Sequence, residues 1–272
     1  MAKKSIPVSY FAQTNLQLYN QMVAAGYDET DLALIMNAYQ LATTIFVGCY
    51  RRSGKTQLAH LIGTASIMVW LKRSSTTVAA ALLHAAYAEG DFGGQSIQKE
   101  LRKATSPEVQ RLIAAYYRLP WQYEPTQVNG LITRISHMTD AEREVVLLRV
   151  ANELEDYLDA APGYHERKDG RLTYLDEVSL CRLAQALGQP RLVTEIQQQS
   201  TLLKASLASF PAAFRRKYVR FNAPRSYGLT LSGYWRKLQR CYRRIHKLGL
   251  LEVSKALRRR FKLLLRGRWR RG

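Results

Sequence analysis

The feature that most constrains the fold is a long stretch without proline, since none occurs between Pro7 and Pro107. Proline interrupts helices because it lacks a backbone N–H and clashes with the preceding turn. Its absence therefore permits several long helices in succession. Apolar residues recur at steps of three and four, the period of an amphipathic helix, whereas alternating strand patterns and hairpin turns are scarce. We therefore predict an all-α fold.

The predicted helices begin and end at recognisable signals. Gly26 ends the first helix, Asp28 is placed to cap the second, and Pro162 follows the longest. The helix predicted at 75–87 is nearly all apolar, and a helix without a polar face is expected at the centre of the fold. The predicted helices cover residues 15–25, 28–48, 56–72, 75–87, 95–104, 107–118, 139–160, 173–187 and 190–206, with a loop at 120–125.

Charge divides the chain into two parts. Residues 1–203 carry equal numbers of basic and acidic side chains, whereas residues 204–272 carry 21 Lys and Arg and one acid, Glu252. The net charge of +20 therefore arises entirely from the last quarter of the chain. We predict a helical domain over residues 1–203 and a basic amphipathic C-terminal extension over residues 204–272.

The extension interleaves basic residues with aromatic and aliphatic ones. Its last predicted helix has leucines and a phenylalanine on one side and basic residues largely on the other: Leu257, Phe261, Leu264 and Leu265 against Arg258, Arg259, Lys262 and Arg266. Basic amphipathic helices lie in the headgroup region of anionic membranes, which are the partner we expect first. Nucleic acid, whose phosphates attract arginine and whose bases stack on aromatic rings, is an alternative. An acidic protein partner is a third.

The cysteines indicate the compartment. Cys49, Cys181 and Cys241 are widely spaced and odd in number, so they form neither a disulfide framework nor a metal-binding pair. No apolar segment of the kind found in secretory signals follows the first lysines. We expect a cytoplasmic protein that the basic extension holds peripherally at the inner face of a membrane.

Two of the five histidines, His60 and His84, lie inside apolar helical patterns. They are on consecutive predicted helices joined by a short turn. Such helices pack antiparallel, so both imidazoles are expected at the same end of the pair. Imidazole is a common ligand of catalytic divalent metals. The alternative is that each is a core histidine satisfied by a hydrogen bond, and the residues alone leave both interpretations open.

The sequence around these histidines forms a longer motif. An RxSG segment at Arg51–Gly54 stands five residues before His60, and LLH occupies Leu82–His84. This pattern resembles the HD-domain superfamily, most closely the alarmone hydrolase domains of the RelA/SpoT type. It is also similar to an uncharacterised group of HD-like proteins with a degenerate metal motif. The resemblance implies an all-helical HD-like bundle, over about residues 10–160, which hydrolyses phosphorylated nucleotides with a bound manganese-like metal.

The resemblance implies a metal site that lacks part of the usual ligand set. His60 and His84 match the metal-binding histidines of the family, and Asn152 falls where the family has its distant aspartate. Ala85 stands where the family has the aspartate that follows the second histidine. Two imidazoles and a neutral amide should bind a divalent metal only weakly.

Further candidates surround the two histidines. Glu89 falls on the second acid of the family's catalytic pair and Asp91 lies two residues on, so both are candidate catalytic residues. Arg51 matches the arginine that contacts the nucleotide in the family. Lys55 and Tyr87 complete the candidate substrate-binding set.

Two functional hypotheses follow. The first is a metal-dependent phosphohydrolase acting on a nucleotide or another phosphorylated small molecule. The second is a non-catalytic HD-like binding or scaffold module, which its basic extension attaches to a membrane surface or to nucleic acid.

Overall fold

The computed structural model describes residues 11–51, 55–92, 96–121, 125–159 and 175–209. These residues form helices and no strands, and the predicted all-α fold is confirmed for them. The helices are α1 (Asn15–Ala24), α2 (Glu29–Ile45), α3 (Gln57–Trp70), α4 (Ser75–Leu83), α5 (Ala86–Glu89), α6 (Ile97–Ala104), α7 (Pro107–Arg118), α8 (Pro125–Ile135), α9 (Asp140–Leu158), α10 (Glu177–Ala186) and α11 (Pro190–Ser209).

Side-chain caps fix the starts of the helices. The Asp28 carboxylate accepts the N–H of Asp31 at 2.8 Å, so the predicted cap of α2 is confirmed. At α9, Thr139 and Glu142 form a reciprocal capping box, in which the Thr139 N–H donates to Glu142 Oε2 at 2.9 Å. These contacts satisfy backbone groups that have no partner inside the helix.

The α3–α4 pair lies at the centre of the bundle. Its connection reverses direction at Lys72, whose φ of 56° is left-handed. The Lys72 N–H donates to Val69 O at 2.8 Å and the Arg73 N–H donates to Met68 O at 3.0 Å, which is the Schellman arrangement. All residues of α4 from 77 to 83 are buried. The prediction that this helix is central is confirmed.

Helix α9 packs against α3, α7 and α11 and is buried on nearly every side. Four of its buried residues carry polar or acidic side chains: Asn152, Glu153, Glu155 and Asp156. Burying such groups is costly unless they are hydrogen-bonded or paired with opposite charges. The partners of these four side chains therefore define the most unusual part of the interior.

The structure differs from the sequence-based expectation at several helices: α2 ends at Ile45 rather than 48, α10 begins at Glu177 rather than 173, and two further differences concern α4 and α8. The fourth helix ends at Leu83 rather than 87, because the imidazole of His84 binds the carbonyl of Ala81 and the chain then starts a separate short helix, α5. Helix α8 was not predicted as a helix of its own. Its Asn129-Gly130 pair has low helix propensity and weakens the helical pattern there.

The described residues all belong to one compact unit that spans residues 1–223. The predicted domain boundary after residue 203 falls inside α11, where Leu203 is buried. From residue 210 onward the predicted basic extension lies outside the described residues, and its amphipathic structure stays a prediction. Within the described ranges, no helix combines the length and the apolar composition needed to cross a bilayer.

Candidate metal centre

The two histidines singled out in the sequence lie side by side. Their ring centroids are 5.4 Å apart and the rings meet edge to face. His60 is near the start of α3 and His84 directly follows α4, so the helix pair brings both to the same end, as predicted. Both side chains are buried.

A hydrogen bond fixes the tautomer of His84. Its Nδ1 lies 2.7 Å from the carbonyl oxygen of Ala81. That oxygen can only accept, so Nδ1 carries the proton. Burial, followed by the neighbouring His60, lowers the pKa of His84 well below its ordinary value, and the ring is neutral at pH 7. The Nε2 atom then has a lone pair, as a metal-binding imidazole requires.

His60 is held by α9. Its Nε2 lies 2.9 Å from Asn152 Oδ1, its Nδ1 contacts Glu155 Oε2, and Asp156 Oδ1 lies 3.8 Å from the same Nδ1. Burial, followed by the cation of Arg51, lowers the pKa of His60 well below its ordinary value. A neutral His60 that donates its Nε2–H to Asn152 turns the lone pair of Nδ1 toward the two carboxylates.

Glu155 and Asp156 complete a cluster of three potential ligands with His60. One ligand atom from each residue lies within 4.8 Å of the others, a spacing that suits a single cation. Burial raises the pKa of Glu155 to about 7, although Lys55 opposes the shift. Burial also raises the pKa of Asp156, against the opposing effect of Arg51.

Two cationic side chains neutralise these carboxylates. Arg51 Nη2 donates to Asp156 Oδ1 at 2.5 Å and to Oδ2 at 2.6 Å. Lys55 Nζ donates to Glu155 Oε1. The Arg51 and Lys55 side chains are 21% and 12% exposed, whereas Glu155 is fully buried. The cations therefore reach the acids from the edge of the site that faces solvent.

A second polar network adjoins the imidazoles. The ring of Tyr116 lies 4.9 Å from that of His84, and its hydroxyl accepts a hydrogen bond from Arg149 Nη1 at 2.6 Å. The Arg149 guanidinium lies 5.2 Å from the ring centroids of both Tyr116 and Trp121, and 3.5 Å from Glu153. Burial raises the pKa of Tyr116 to about 12 and that of Glu153 to about 7. This network joins α7 to α9 behind the histidine pair.

The residues proposed from the sequence are only partly gathered at this cluster. Those found together are His60, His84, Asn152, Arg51 and Lys55. Their assignment as metal-binding and substrate-binding residues stays a prediction.

Three other candidates lie on or after α5. Tyr87 is half-buried and its ring lies 5.6 Å from that of Tyr117. Glu89 is exposed, and within the described residues its carboxylate does not contact either imidazole. The backbone N–H of Asp91 donates to Ile45 O at 2.8 Å, which ties the end of α5 to α2. The catalytic roles of Glu89 and Asp91 stay predictions.

The sequence reasoning missed Glu155 and Asp156. They follow Asn152 by three and four residues, so all three side chains share one face of α9. This spacing could have identified them, because acids three or four residues after a candidate metal ligand on a helix lie on the same face as that ligand. The two acids supply the negative charge that the predicted ligand set lacked.

The comparison with protein families agrees with this geometry. The family model described as the HD domain matches residues 38–156, from α2 to the acidic turn of α9. This segment is similar to the HD domain, whose superfamily comprises metal-dependent phosphohydrolases. The predicted HD-like bundle is therefore confirmed, whereas the closer resemblance to alarmone hydrolases stays a prediction. Among curated proteins, none matches the chain significantly.

The donor set fits a divalent cation. In the tautomer of His60 that donates its Nε2–H to Asn152, Nδ1 and an ionised Glu155 Oε2 direct lone pairs at each other, and their contact then requires a proton or a cation between them. Two carboxylates with neutral imidazole are ligands that divalent transition metals accept. Asn152 binds the other nitrogen of His60, as the partner of a ligating imidazole commonly does.

Proposed function

We propose that this protein is a metal-dependent phosphohydrolase that acts on a nucleotide or another phosphorylated small molecule. The observation that carries the proposal is the position of Arg51 and Lys55, both of which touch the cluster formed by His60, Glu155 and Asp156. A phosphoryl group needs cationic partners beside the metal that activates it, and here two cationic side chains lie within hydrogen-bonding distance of the potential metal ligands.

The residues that would hold the metal are His60, Glu155 and Asp156, with His84 beside them. When bound, a divalent cation supplies Lewis acidity at a phosphoryl oxygen and lowers the pKa of coordinated water. The fixed tautomer of His84 and the Asn152 contact to His60 orient the two imidazoles before any ligand arrives. A ligand set that is oriented in advance loses little free energy to reorganisation when it binds.

Arg51 and Lys55 are the substrate-binding groups in this proposal. Arginine presents several N–H donors in one plane and matches the geometry of phosphate oxygens, and lysine adds a compact positive charge. Both side chains lie at the partly exposed edge of the site. They can therefore contact a bound phosphate while the buried acids face inward.

The test combines metal binding with hydrolysis. Purified protein is dialysed against micromolar Mn²⁺, its metal content is measured, and Mn²⁺-dependent release of phosphate or pyrophosphate is assayed on nucleotides and sugar phosphates. We expect the wild-type protein to bind metal and hydrolyse a member of this set. We expect Glu155→Gln and His60→Ala to lose both properties.

The matched control is Glu144→Gln. Glu144 is also an acid of α9 in an ion pair, with Arg73 at 2.6 Å, but it belongs to a different contact of the helix. We expect this variant to retain metal binding and hydrolysis. A wild-type protein without metal or activity, or a Glu155→Gln variant that binds Mn²⁺ as tightly as wild type, would contradict the proposal.

A second proposal concerns the basic extension, residues 204–272. Its 21 basic residues against one acid favour an anionic surface, and the leucine and phenylalanine side of its last predicted helix favours a membrane over nucleic acid. The full chain is expected to co-sediment with vesicles containing phosphatidylserine, and high salt should reduce the bound fraction.

Charge-reversing substitutions in each part of the chain test which part binds the vesicles. Arg258→Glu, Arg259→Glu and Lys262→Glu together should abolish co-sedimentation. The control pair, Lys103→Glu and Arg111→Glu, changes exposed positions of the helical domain and should have little effect. Equal binding by both variants, or binding to RNA but not to vesicles, would reject the membrane proposal.

A further inference from the structure

We propose that Arg51 and Lys55 are internal counter-ions which an incoming metal displaces from Asp156 and Glu155, and that the displaced cations then bind the phosphoryl group. Metal and phosphate would therefore bind with positive coupling. This inference rests on the proposed function, because it assumes that the cluster takes a divalent cation.

The charges of the cluster are already balanced by its two ion pairs. In the described structure each of the two carboxylates is paired with a cationic side chain. Adding a divalent cation without any rearrangement would leave two excess positive charges in a buried site. Uncompensated buried charge is strongly unfavourable, so metal binding requires the lysine and the arginine to change partners.

The two cationic side chains are freer to move than the two acids. Glu155 and Asp156 project from the buried turn of a long helix, and Glu155 is fully buried. Arg51 and Lys55 have long side chains that approach from the solvent edge. The cations can therefore turn outward, whereas movement of the acids would require α9 to shift.

The backbone below the two cations supports this movement. The Arg51 N–H donates to Lys55 O at 2.8 Å, next to an antiparallel bridge between Tyr50 and Thr56. On the other side of this bridge, the Gln57 N–H donates to Cys49 O at 2.8 Å. Because these bonds involve only backbone atoms, both side chains can change partners while their main chain stays in place.

Metal binding and phosphate binding at this site are thermodynamically linked. A phosphate that binds the outward-turned cations stabilises the arrangement in which the carboxylates are available to metal. Metal in turn stabilises the arrangement in which the cations are available to phosphate. Coupling of this kind is reciprocal and typically changes affinity about 5- to 150-fold.

The main experiment measures the chemical accessibility of Lys55 in the wild-type chain. Lysine acetylation by an activated ester is followed by mass spectrometry, with and without Mn²⁺, while bound metal is measured separately by equilibrium dialysis. We expect Mn²⁺ to accelerate modification of Lys55 several-fold. Lys103, which is 59% exposed and pairs with Glu100 on α6, is the internal control and should react at an unchanged rate.

The outcomes separate this inference from the proposed function. If Mn²⁺ binds and the rate at Lys55 does not change, the counter-ion inference is wrong and the phosphohydrolase proposal is unaffected. If dialysis shows no bound Mn²⁺, the proposed function fails and this inference fails with it. If Mn²⁺ binds and accelerates modification of Lys55 but not of Lys103, the result supports both the inference and the proposed function.

A second measurement tests the coupling itself. The Mn²⁺ affinity of the wild type is compared with and without inorganic phosphate, and we expect phosphate to tighten it by at least about fivefold. Lys55→Met should bind Mn²⁺ more tightly than wild type in the absence of phosphate and show a smaller effect of phosphate. Lys103→Met should match wild type in both. If Lys55→Met folds and binds Mn²⁺ no more tightly than wild type, the inference is overturned.

Discussion

Gly63 of α3 lies directly against the side chain of Glu155 on α9. A Cβ atom at position 63 would lie 2.5 Å from Glu155 Oε1 and 2.8 Å from its Cγ, distances that no packed structure tolerates. Glycine inside a helix costs about 1 kcal/mol relative to alanine. The close approach of the carboxylate explains why a glycine stands at this position.

The first prediction concerns this contact. Gly63→Ala should displace the Glu155 side chain and destabilise the protein by about 1–3 kcal/mol, since overpacking outweighs the gain in helix propensity. It should also weaken Mn²⁺ binding. Gly130→Ala in α8 is the control, because its added Cβ would meet nothing within 4 Å, and it should leave stability unchanged or raise it by up to about 1 kcal/mol. Urea denaturation measures both variants, and equal effects would show that the contact is unimportant.

The second prediction concerns Asn152. Replacing it with aspartate adds a fourth carboxylate to a buried turn that already holds Glu153, Glu155 and Asp156, so the metal-free protein should lose stability. The added charge should favour a divalent cation, and the affinity for Mn²⁺ should rise about 10- to 100-fold. Thermal unfolding with and without Mn²⁺ should therefore show a lower Tm than wild type without metal and a larger increase on adding it.

The matched variant is Asn152→Ala. It removes the 2.9 Å contact with His60 and adds no charge. It should lose stability without gaining affinity for Mn²⁺. If both variants respond to metal alike, Asn152 does not face the metal-binding groups.

The third prediction concerns the Tyr116 hydroxyl. Tyr116→Phe removes its 2.6 Å hydrogen bond from Arg149 but keeps the ring that packs on His84. A hydrogen bond to a charged group contributes about 1.5–3 kcal/mol, so the free energy of unfolding should fall by this amount. Because the ring contact with His84 is preserved, the affinity for Mn²⁺ should stay within about twofold of that of the wild type. A large loss of metal affinity would show that the hydroxyl acts on the site itself.

The fourth prediction concerns pH and the start of α9. Hydrogen bonds from the Thr139 backbone and side chain lower the pKa of Glu142 below its ordinary value of 4.5. A lowered folded-state pKa means that the unfolded chain takes up the proton at higher pH. The stabilising contribution is therefore complete above pH 4.5 and is lost as the pH falls through the lowered pKa. Glu142→Gln should be less stable than wild type near neutral pH, and this difference should shrink in acid.

The cap itself provides a comparison for that measurement. Thr139→Ala removes the oxygen that accepts the Glu142 N–H, and loss of such a cap costs about 1 kcal/mol. It also removes part of the interaction that lowers the pKa of Glu142. The dependence of stability on pH should therefore be weaker in Thr139→Ala than in wild type, when both are measured by denaturant titration between neutral pH and the acid range.

The sequence was sufficient for the features that depend on local pattern. Helix period and proline spacing predicted the all-α fold, and the short connection between two apolar helices predicted that His60 and His84 would meet. The acids of α9 were not predicted because nearly every side of that helix is buried, so its polar residues have no amphipathic pattern to mark the face toward the site. The turn of α9 that lies opposite His60 is determined by how the helices pack. The family motif, by comparison, identified only Asn152 on this helix. The ion pairs of Arg51 and Lys55 join residues about one hundred positions apart, beyond the reach of a local pattern.

One geometric property of the site follows from its origin on a single helix turn. Asn152, Glu155 and Asp156 are spaced by the helix itself, at about 1.5 Å of rise per residue, so their mutual arrangement is as rigid as α9. Their distance from His60 depends on how α3 and α9 pack against each other. Substitutions along that helix interface that do not touch the acids, unlike Gly63→Ala, should therefore change the gap between imidazole and acids more than the arrangement of the acids themselves.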